Sequence, residues 1–225
     1  MNEDPFIQHL IGKYQNPAFV DEVGLGSIFG ELVACAVLIP QSFRMDGVND
    51  SKQLKQKEIL RLSPLLKQKV QYSLGIITTE ELKEIGNMCK ADQLAFLRAV
   101  QGLTTKPDAV FVDGRFAIQG FGEDVYPVIK GDAKVFGIAV ASIIAKDSRD
   151  RMVVEKYGEK FARYHIASNK GYRSPDHLMA IRKFGLTPFH RPWMPQIHQV
   201  LSGKYDQVIM SKYRNRWEKL KGGKL

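Results

Sequence analysis

The sequence predicts an α/β domain built around a mixed β-sheet. Strand patterns and helix patterns occur in irregular order along the chain. The first two apolar strand patterns, at 18–23 and 31–40, are separated only by a glycine-containing turn, which predicts a tight antiparallel hairpin. Strands that neighbour each other in this way indicate a mixed sheet and not a doubly wound parallel one.

Three later segments also have strand patterns, at 72–79, 109–114 and 125–132. The last two have the same design, an apolar run that ends in a turn carrying an aspartate. Between the segments at 72–79 and 109–114, apolar residues recur at helical spacing from Thr79 to Gly102. This spacing predicts one long amphipathic helix, preceded by a capping box of Thr78 and Glu81.

The charge of the chain favours a polyanionic partner. The 225 residues include 33 Lys and Arg against 24 Asp and Glu, a net charge of +9. Such a surface suits nucleic acid through phosphate neutralisation, although a basic protein can also owe its charge to solubility alone.

The lack of targeting and membrane-spanning patterns, together with the two cysteines, predicts a soluble, cytoplasmic protein without a membrane partner. The N-terminus lacks a signal-peptide pattern, and no apolar run approaches the roughly 18 residues of a membrane span. Cys35 and Cys89 lack the spacing of a disulfide framework or a zinc site, so we expect two reduced thiols.

Acidic residues recur where predicted strands end. Asp21 with Glu22, Asp113 and Asp132 each lie at or just after an apolar strand, where side chains can converge at one edge of the sheet. Carboxylates about 4 Å apart repel by roughly 4 kcal/mol per pair at an effective dielectric near 20, so a cluster needs cations. Oxygen ligands favour Mg²⁺ or Mn²⁺, and two such ions suit phosphodiester hydrolysis. Alternatively, each aspartate only completes its turn.

Several stretches, taken together, resemble the ribonuclease HII family. They are DEVGLGSIFGE at 21–31, NDSKQL at 49–54, FVDG at 111–114, KGDAKVFGIAVASIIAKDSRDRM at 130–152, and NKGYRSPDHLMAIRKFG with FHR at 169–191. The resemblance implies a ribonuclease H-like fold, a central mixed sheet flanked by helices, with a C-terminal helical extension. We therefore expect a catalytic domain at 1–197 and a basic extension at 198–225.

The resemblance also implies an activity, the hydrolysis of the RNA strand of RNA/DNA hybrids to 5′-phosphate and 3′-hydroxyl ends. The catalytic, metal-binding carboxylates of the family fall on Asp21, Glu22, Asp113 and Asp132. Two Mg²⁺ or Mn²⁺ ions are expected there, with an RNA/DNA hybrid or a ribonucleotide-containing DNA duplex as partner. A non-catalytic hybrid- or duplex-binding protein of the same fold is the alternative. Asp147 and Asp150 are assigned to helix-surface or capping roles.

The substrate contacts of the family also have counterparts in the chain. Phosphate contacts fall on Lys52, Lys146, Lys170 and Arg191, each of which could instead be an ordinary surface residue. Tyr172 matches a family tyrosine that stacks on a sugar beside the scissile junction.

The glycine triplet after the paired acids departs from the family. Ribonuclease HII usually has Gly-Arg-Gly, whereas this chain has Gly24-Leu25-Gly26, and its DEVGLGSIFG segment is more similar to ribonuclease HIII. The glycines allow a ribose to approach the backbone, but leucine cannot make the phosphate contact of arginine. We therefore expect hybrid cleavage to persist and incision at a single embedded ribonucleotide to be weakened.

The C-terminal tail is basic and amphipathic. Gln207, Met210 and Tyr213 have the spacing of a sliding-clamp-binding peptide, but its second aromatic residue is missing. A helix that grips the duplex backbone is therefore favoured over a clamp-binding peptide. A monomer is the expected oligomeric state.

Overall fold

The computed structural model describes residues 4–40, 42–49, 54–122 and 124–203. Lys52 and the tail from residue 204 onward lie outside the described residues, as does the expected clamp-binding spacing. Within the described ranges, no helix combines the length and the apolar character needed to cross a membrane.

The chain forms two compact units. The first unit contains the residues up to Leu25 together with Glu31–Asp150, and the second contains Gly26–Gly30 together with the residues from Arg151 onward. The sheet lies in the first unit, and its described strands are β1 (Pro17–Val23), β2 (Leu32–Leu38), β3 (Gln71–Ile77), β4 (Ala109–Asp113) and β5 (Val125–Val128).

The sheet is mixed, as predicted. Its strand order is β3-β2-β1-β4-β5. β1 and β3 both run antiparallel to β2, whereas β4 runs parallel to β1 and to β5. The carboxyl ends of β1, β4 and β5 therefore meet at one edge of the sheet.

β1 and β2 pair antiparallel as predicted, but the connection between them is not the tight turn that the sequence predicted. Its middle part, Gly26–Gly30, belongs to the second unit. The Ile28 N–H donates to the Gly171 carbonyl at 3.1 Å, and the Gly30 N–H donates to the Phe189 carbonyl at 3.0 Å. The prediction failed because these partners lie far away in the sequence.

Six helices belong wholly or partly to the described residues of the first unit: α1 (Pro5–Ile11), α2 (Gln56–Lys67), α3 (Thr79–Ile85), α4 (Met88–Gln101), α5 (Gly131–Lys134) and α6 (Phe136–Tyr157). The single long helix predicted from Thr79 is wrong, because two helices occupy this segment. Gly86 ends α3 in a left-handed conformation, with φ of 60°, and the Asn87 side chain caps α4. The predicted capping box of Thr78 and Glu81 is confirmed.

Helix α4 packs closely against one face of the sheet. A Cβ on Gly75 would collide with the Ala95 carbonyl oxygen and come within 2.7 Å of the Ala99 nitrogen. Glu22 lies in the same cross-strand row as Gly75, with Ala34 between them. Since neighbours in a row share a face, the Glu22 side chain lies on the α4 face, and Asp21 lies on the opposite face.

The second unit is helical and has its own aromatic core. Besides the end of α6 it contains a 3₁₀ turn (Ala162–Tyr164), α7 (Ile166–Asn169), α8 (Pro175–Phe184) and α9 (Pro195–Leu201). The Phe29 ring packs edge-on against Tyr157 and His190, with ring centroids 5.2 and 5.0 Å away. The proposed start of the extension at residue 198 falls inside α9.

Candidate active site

Three of the four carboxylates expected to bind metal meet at the carboxyl edge of the sheet. Asp21 lies near the end of β1, Asp113 ends the neighbouring β4, and Asp132 lies in α5 just after β5. One oxygen from each carboxylate lies within 4.8 Å of the others. Asp21 and Asp132 are buried, at 1% and 4% exposure. Parallel pairing of β1 with β4 brings the first two side chains together.

The turn before α5 helps to fix this arrangement. The Gly131 N–H donates to Asp113 Oδ1 at 2.7 Å, which ties the β4 carboxylate to the backbone that carries Asp132. Asp21 Oδ1 in turn accepts from the Glu22 N–H at 2.8 Å. A backbone N–H that donates to a carboxylate oxygen holds that side chain in place. It also favours the charged form of the carboxylate.

Glu22 is not part of the group of three oxygens. Its side chain lies on the α4 face of the sheet, and burial is the main reason why its pKa rises to about 8. The nearby carboxylates of Asp92 and Asp113 raise its pKa further. Glu22 therefore lies beside the cluster, and the charge of Asp113 acts on its carboxyl group.

Asp92 is a further acidic residue of this site that sequence analysis missed. It lies in α4, and its pKa is raised to about 7 by burial and then by Asp21 and Asp113. No strand ends near it, so the pattern that identified the other acids does not apply. The available signal was its place between Ala91 and Ala95, both buried on the helix face that meets the sheet.

The donor set fits a divalent cation with a preference for oxygen ligands. Asp21, Asp113 and Asp132 contribute only carboxylate oxygens, and no histidine or cysteine belongs to this group among the described residues. Buried like charges repel unless a cation offsets them. Such a set suits a hard ion of the Mg²⁺ or Mn²⁺ type rather than zinc.

The family model and the sequence relatives of this chain indicate one family. The family model described as Ribonuclease HII matches residues 18–201. The chain belongs to the ribonuclease HII family. A ribonuclease HII from Roseobacter denitrificans is 38% identical over 184 residues, which cover 82% of this chain and 92% of the relative.

Solved structures support the same assignment. The ribonuclease H2 from Pyrococcus horikoshii superposes with a TM-score of 0.68 at 27% identity, covering 84% of this chain and 98% of that one. The ribonuclease HII of Archaeoglobus fulgidus, solved in complex with PCNA, gives a TM-score of 0.67 at 25% identity, with 79% and 94% covered. The chain is thus a member of an endonuclease family with a ribonuclease H-like fold.

The glycine triplet of this family member is shaped by its surroundings. Gly24 has φ of 98°, and a Cβ there would collide with the Arg149 side chain and approach the Glu31 carbonyl oxygen to 2.9 Å. Gly26 has open space around the position of a Cβ, and Leu25 is 36% exposed. Gly24 is thus required by the fold, whereas Leu25 and Gly26 present an open surface.

Among the basic residues, Lys146 is engaged by an acid of its own helix. Its Nζ lies 3.1 Å from Asp150 Oδ2, one turn away. Asp147 also lies outside the three-carboxylate group, but its expected helix-surface role is wrong. It is buried and accepts from Ser63 Oγ at 2.8 Å and from Lys67 Nζ at 3.2 Å, because α2 covers it.

In the second unit, Lys170 and Tyr172 are partly buried and Arg191 is fully buried. Arg191 donates from Nε and Nη2 to the Gly30 carbonyl, at 3.1 and 2.7 Å, and from Nη1 to the Ser27 carbonyl at 3.1 Å. The phosphate contact expected for Arg191 stays a prediction, and in this structure its guanidinium is buried against backbone carbonyls. Its guanidinium holds the segment that follows the glycine triplet.

A buried histidine pair beside Tyr172 was also missed by sequence analysis. His190 Nδ1 accepts from the Thr187 N–H at 2.8 Å, so its Nε2–H donates to His177 Nε2 at 3.1 Å. His177 Nδ1–H then donates to the Tyr172 carbonyl at 2.9 Å. Burial lowers the pKa of His177 to about 4 and, with its neighbour, that of His190 to about 3. Both rings are neutral, and they anchor the Tyr172 backbone.

Proposed function

We propose that this protein hydrolyses the RNA strand of RNA/DNA hybrids in a reaction that requires divalent cations. The observation that carries the proposal is the group of three carboxylate oxygens within 4.8 Å of one another, in a chain of the ribonuclease HII family. The net charge of +9 favours a polyanionic substrate. Incision within the RNA strand would leave 5′-phosphate and 3′-hydroxyl ends.

The proposed metal centre uses Asp21, Glu22, Asp113 and Asp132 as ligands, with two Mg²⁺ or Mn²⁺ ions. Bound cations would supply the activation of water and the neutralisation of charge on the leaving oxygen. The Gly131 N–H, which donates to Asp113 at 2.7 Å, orients one carboxylate for this task. Asp21 is similarly oriented by the Glu22 N–H at 2.8 Å.

The test is cleavage of three labelled duplexes, an RNA/DNA hybrid, a DNA duplex with one ribonucleotide and plain DNA, with Mg²⁺, Mn²⁺ or chelator. Hybrid cleavage that needs the cation and is lost in Asp21→Asn is expected. Glu84→Gln, which removes an exposed acid from α3, is the matched control and should cleave normally. Binding of the hybrid without cleavage by the unaltered protein would instead favour the non-catalytic alternative.

We further propose that incision at a single embedded ribonucleotide is weaker than hybrid cleavage. Leu25, which is 36% exposed, lies where the family usually has arginine, so one charge-assisted contact to phosphate is missing. Such a bond contributes about 1.5–3 kcal/mol, a factor of roughly ten to a hundred. Leu25→Arg should restore incision, with Leu25→Gln as an uncharged control. Equal cleavage of both substrates, unchanged by Leu25→Arg, would refute the proposal.

For residues 198–225 we propose a basic extension that binds the duplex backbone. The Archaeoglobus relative solved in complex with PCNA makes a sliding clamp the competing partner. Removal of residues 204–225 should weaken hybrid binding and flatten its salt dependence, by a slope of about 0.9 for each lost phosphate contact. An unchanged slope, together with lost clamp binding, would favour the clamp.

A further inference from the structure

Helix α4 places an additional carboxylate on the side of the sheet where Glu22 lies. Gly75, which shares a cross-strand row with Glu22, touches the backbone of α4 at Ala95. Asp92 precedes Ala95 by three residues, and residues three apart lie on the same side of a helix. The close approach of α4 to the sheet therefore fixes Asp92 near the carboxyl end of β1.

Asp92 has no evident structural task in α4. The N-terminus of the helix is capped by Asn87, whose side chain accepts from the Lys90 N–H at 3.1 Å. Asp92 comes after the first turn, where an acidic side chain interacts only weakly with the helix dipole. Its Oδ1 is buried and accepts no hydrogen bond from the described residues. Burial of a carboxylate oxygen without a hydrogen bond is unfavourable unless another group, such as a water molecule or a cation, interacts with it.

We propose that Asp92 is a fifth carboxylate of the metal centre and that it holds water bound to a cation near Glu22. This proposal rests on the proposed function, since it requires that the carboxylates bind a divalent ion. Asp92 is not part of the group whose oxygens lie within 4.8 Å of one another, so direct ligation together with those three is not indicated. Mg²⁺ keeps several of its waters in protein sites, and carboxylates beyond the ligands orient them.

The face of the sheet on which Asp92 lies also supports this role. Glu22 and Asp92 both lie on the α4 face, while Asp21 lies on the opposite face. The centre thus spans both sides of the end of β1, with carboxylates on each. A cation near Glu22 would then meet two acids on its own side of the strand, and the additional negative charge would strengthen its binding.

Asp92→Asn tests the proposal by metal binding rather than by cleavage alone. Mn²⁺ is titrated into metal-free protein by calorimetry, and the occupancy is checked by electron paramagnetic resonance. Loss of a partner of this kind weakens metal binding by roughly 10–100-fold. In the absence of metal, Asp92→Asn should melt higher by roughly 2–4 °C, since it removes a buried like charge. A merely structural carboxylate would give a lower melting temperature and unchanged Mn²⁺ affinity.

Three further variants make the outcome decisive. Glu84→Gln makes the same charge change on the exposed surface of α3 and should bind Mn²⁺ normally. Asp92→Glu keeps the charge and should recover most of the affinity. Asp92→Ser replaces Asp92→Asn in every measurement if the latter does not fold. Normal Mn²⁺ binding by the Asn or Ser variant overturns the inference, whereas failure of the unaltered protein to bind Mn²⁺ overturns the proposed function instead.

Discussion

The carboxylates of the first unit and the histidine pair of the second are both largely buried polar groups, but they offset the cost of burial in opposite ways. Asp21, Asp113 and Asp132 bring like charges within 4.8 Å of one another. His177 and His190 are neutral, and each ring nitrogen takes part in a hydrogen bond of 2.8 to 3.1 Å. The first arrangement is suited to bind a divalent cation, whereas in the second the histidines satisfy each other and the backbone. This difference separates a site built for ligands from one built for positioning.

The largest effect is expected from removing one charge of the cluster. Asp113→Asn should lower hybrid cleavage roughly 10³-fold, because metal ligation supplies several kcal/mol and each 1.36 kcal/mol is a factor of ten. The amide oxygen can still accept from the Gly131 N–H, so the metal-free protein should unfold at the same or a higher denaturant concentration. Loss of stability that matched the loss of activity would contradict a role in metal binding.

The opposite result is expected when the histidine pair is broken. His190→Leu leaves the Thr187 N–H and His177 Nε2 without the partner they now have. Each buried polar group left in this way costs about 1–3 kcal/mol of unfolding free energy, measurable by urea denaturation. Mn²⁺ affinity should be unchanged. His9→Leu, at an exposed position, is the control; equal stability of both variants would show that the pair contributes nothing.

The pH dependence of stability should separate the two regions. Folding raises the pKa of Glu22 from 4.5 to about 8 and that of Asp92 from 3.8 to about 7, so their contribution is present at low pH and lost as pH rises through these values. The histidine pKa values are lowered, so the pair contributes fully above pH 6.5 and loses this contribution as pH falls towards 4.

Between pH 6.5 and 8.5, therefore, the carboxylates and not the histidine pair should change the unfolding free energy, by at most about 1.4 kcal/mol per pH unit for each proton. We expect metal-free protein to lose stability over this range, and saturating Mg²⁺ to reduce the loss. His190→Leu should show the same slope, since its ring is already neutral in the unaltered protein. Rising stability of the metal-free protein would contradict the proposed repulsion.

The smallest effect is expected at the partly exposed pair of Lys146 and Asp150, which serves as a reference for both regions. Asp150→Asn should change the unfolding free energy by about 1 kcal/mol or less, since Asp150 keeps some solvent access and pairs with Lys146 and, at 3.8 Å, with Arg149. If Lys146 meets phosphate, as its family position implies, hybrid affinity should rise slightly at low salt. A change of several kcal/mol would mean that Asp150 has a larger structural role.

Sequence patterns could predict the carboxylate edge because strand periodicity and strand ends are local properties. The same alternation places Glu22 on the face opposite Asp21, which could have been deduced without a structure. Asp92 could not have been assigned in this way, since its role depends on how closely α4 approaches Gly75. Local signals were also overlooked, as the Gly86-Asn87 pair marks the end of one helix and the start of the next.

Long-range packing explains what the sequence could not show. Arg191 has the sequence context of a phosphate-binding residue, and only the tertiary structure shows that backbone carbonyls occupy its guanidinium. The tight turn between β1 and β2 was wrongly predicted for the same reason, because the sequence does not show that Gly26–Gly30 has partners near the other end of the chain.

The placement of Gly26–Gly30 has a consequence for how the protein is made. The carbonyls of Ser27 and Gly30 accept from Arg191, which is synthesised more than 160 residues later. At about 5–20 residues per second, this delay on the ribosome is roughly 8–30 s. During that time the strands on either side can pair, but the peptide that joins them has no native partner. Completion of the loop after the paired acids is therefore a late event of biosynthesis.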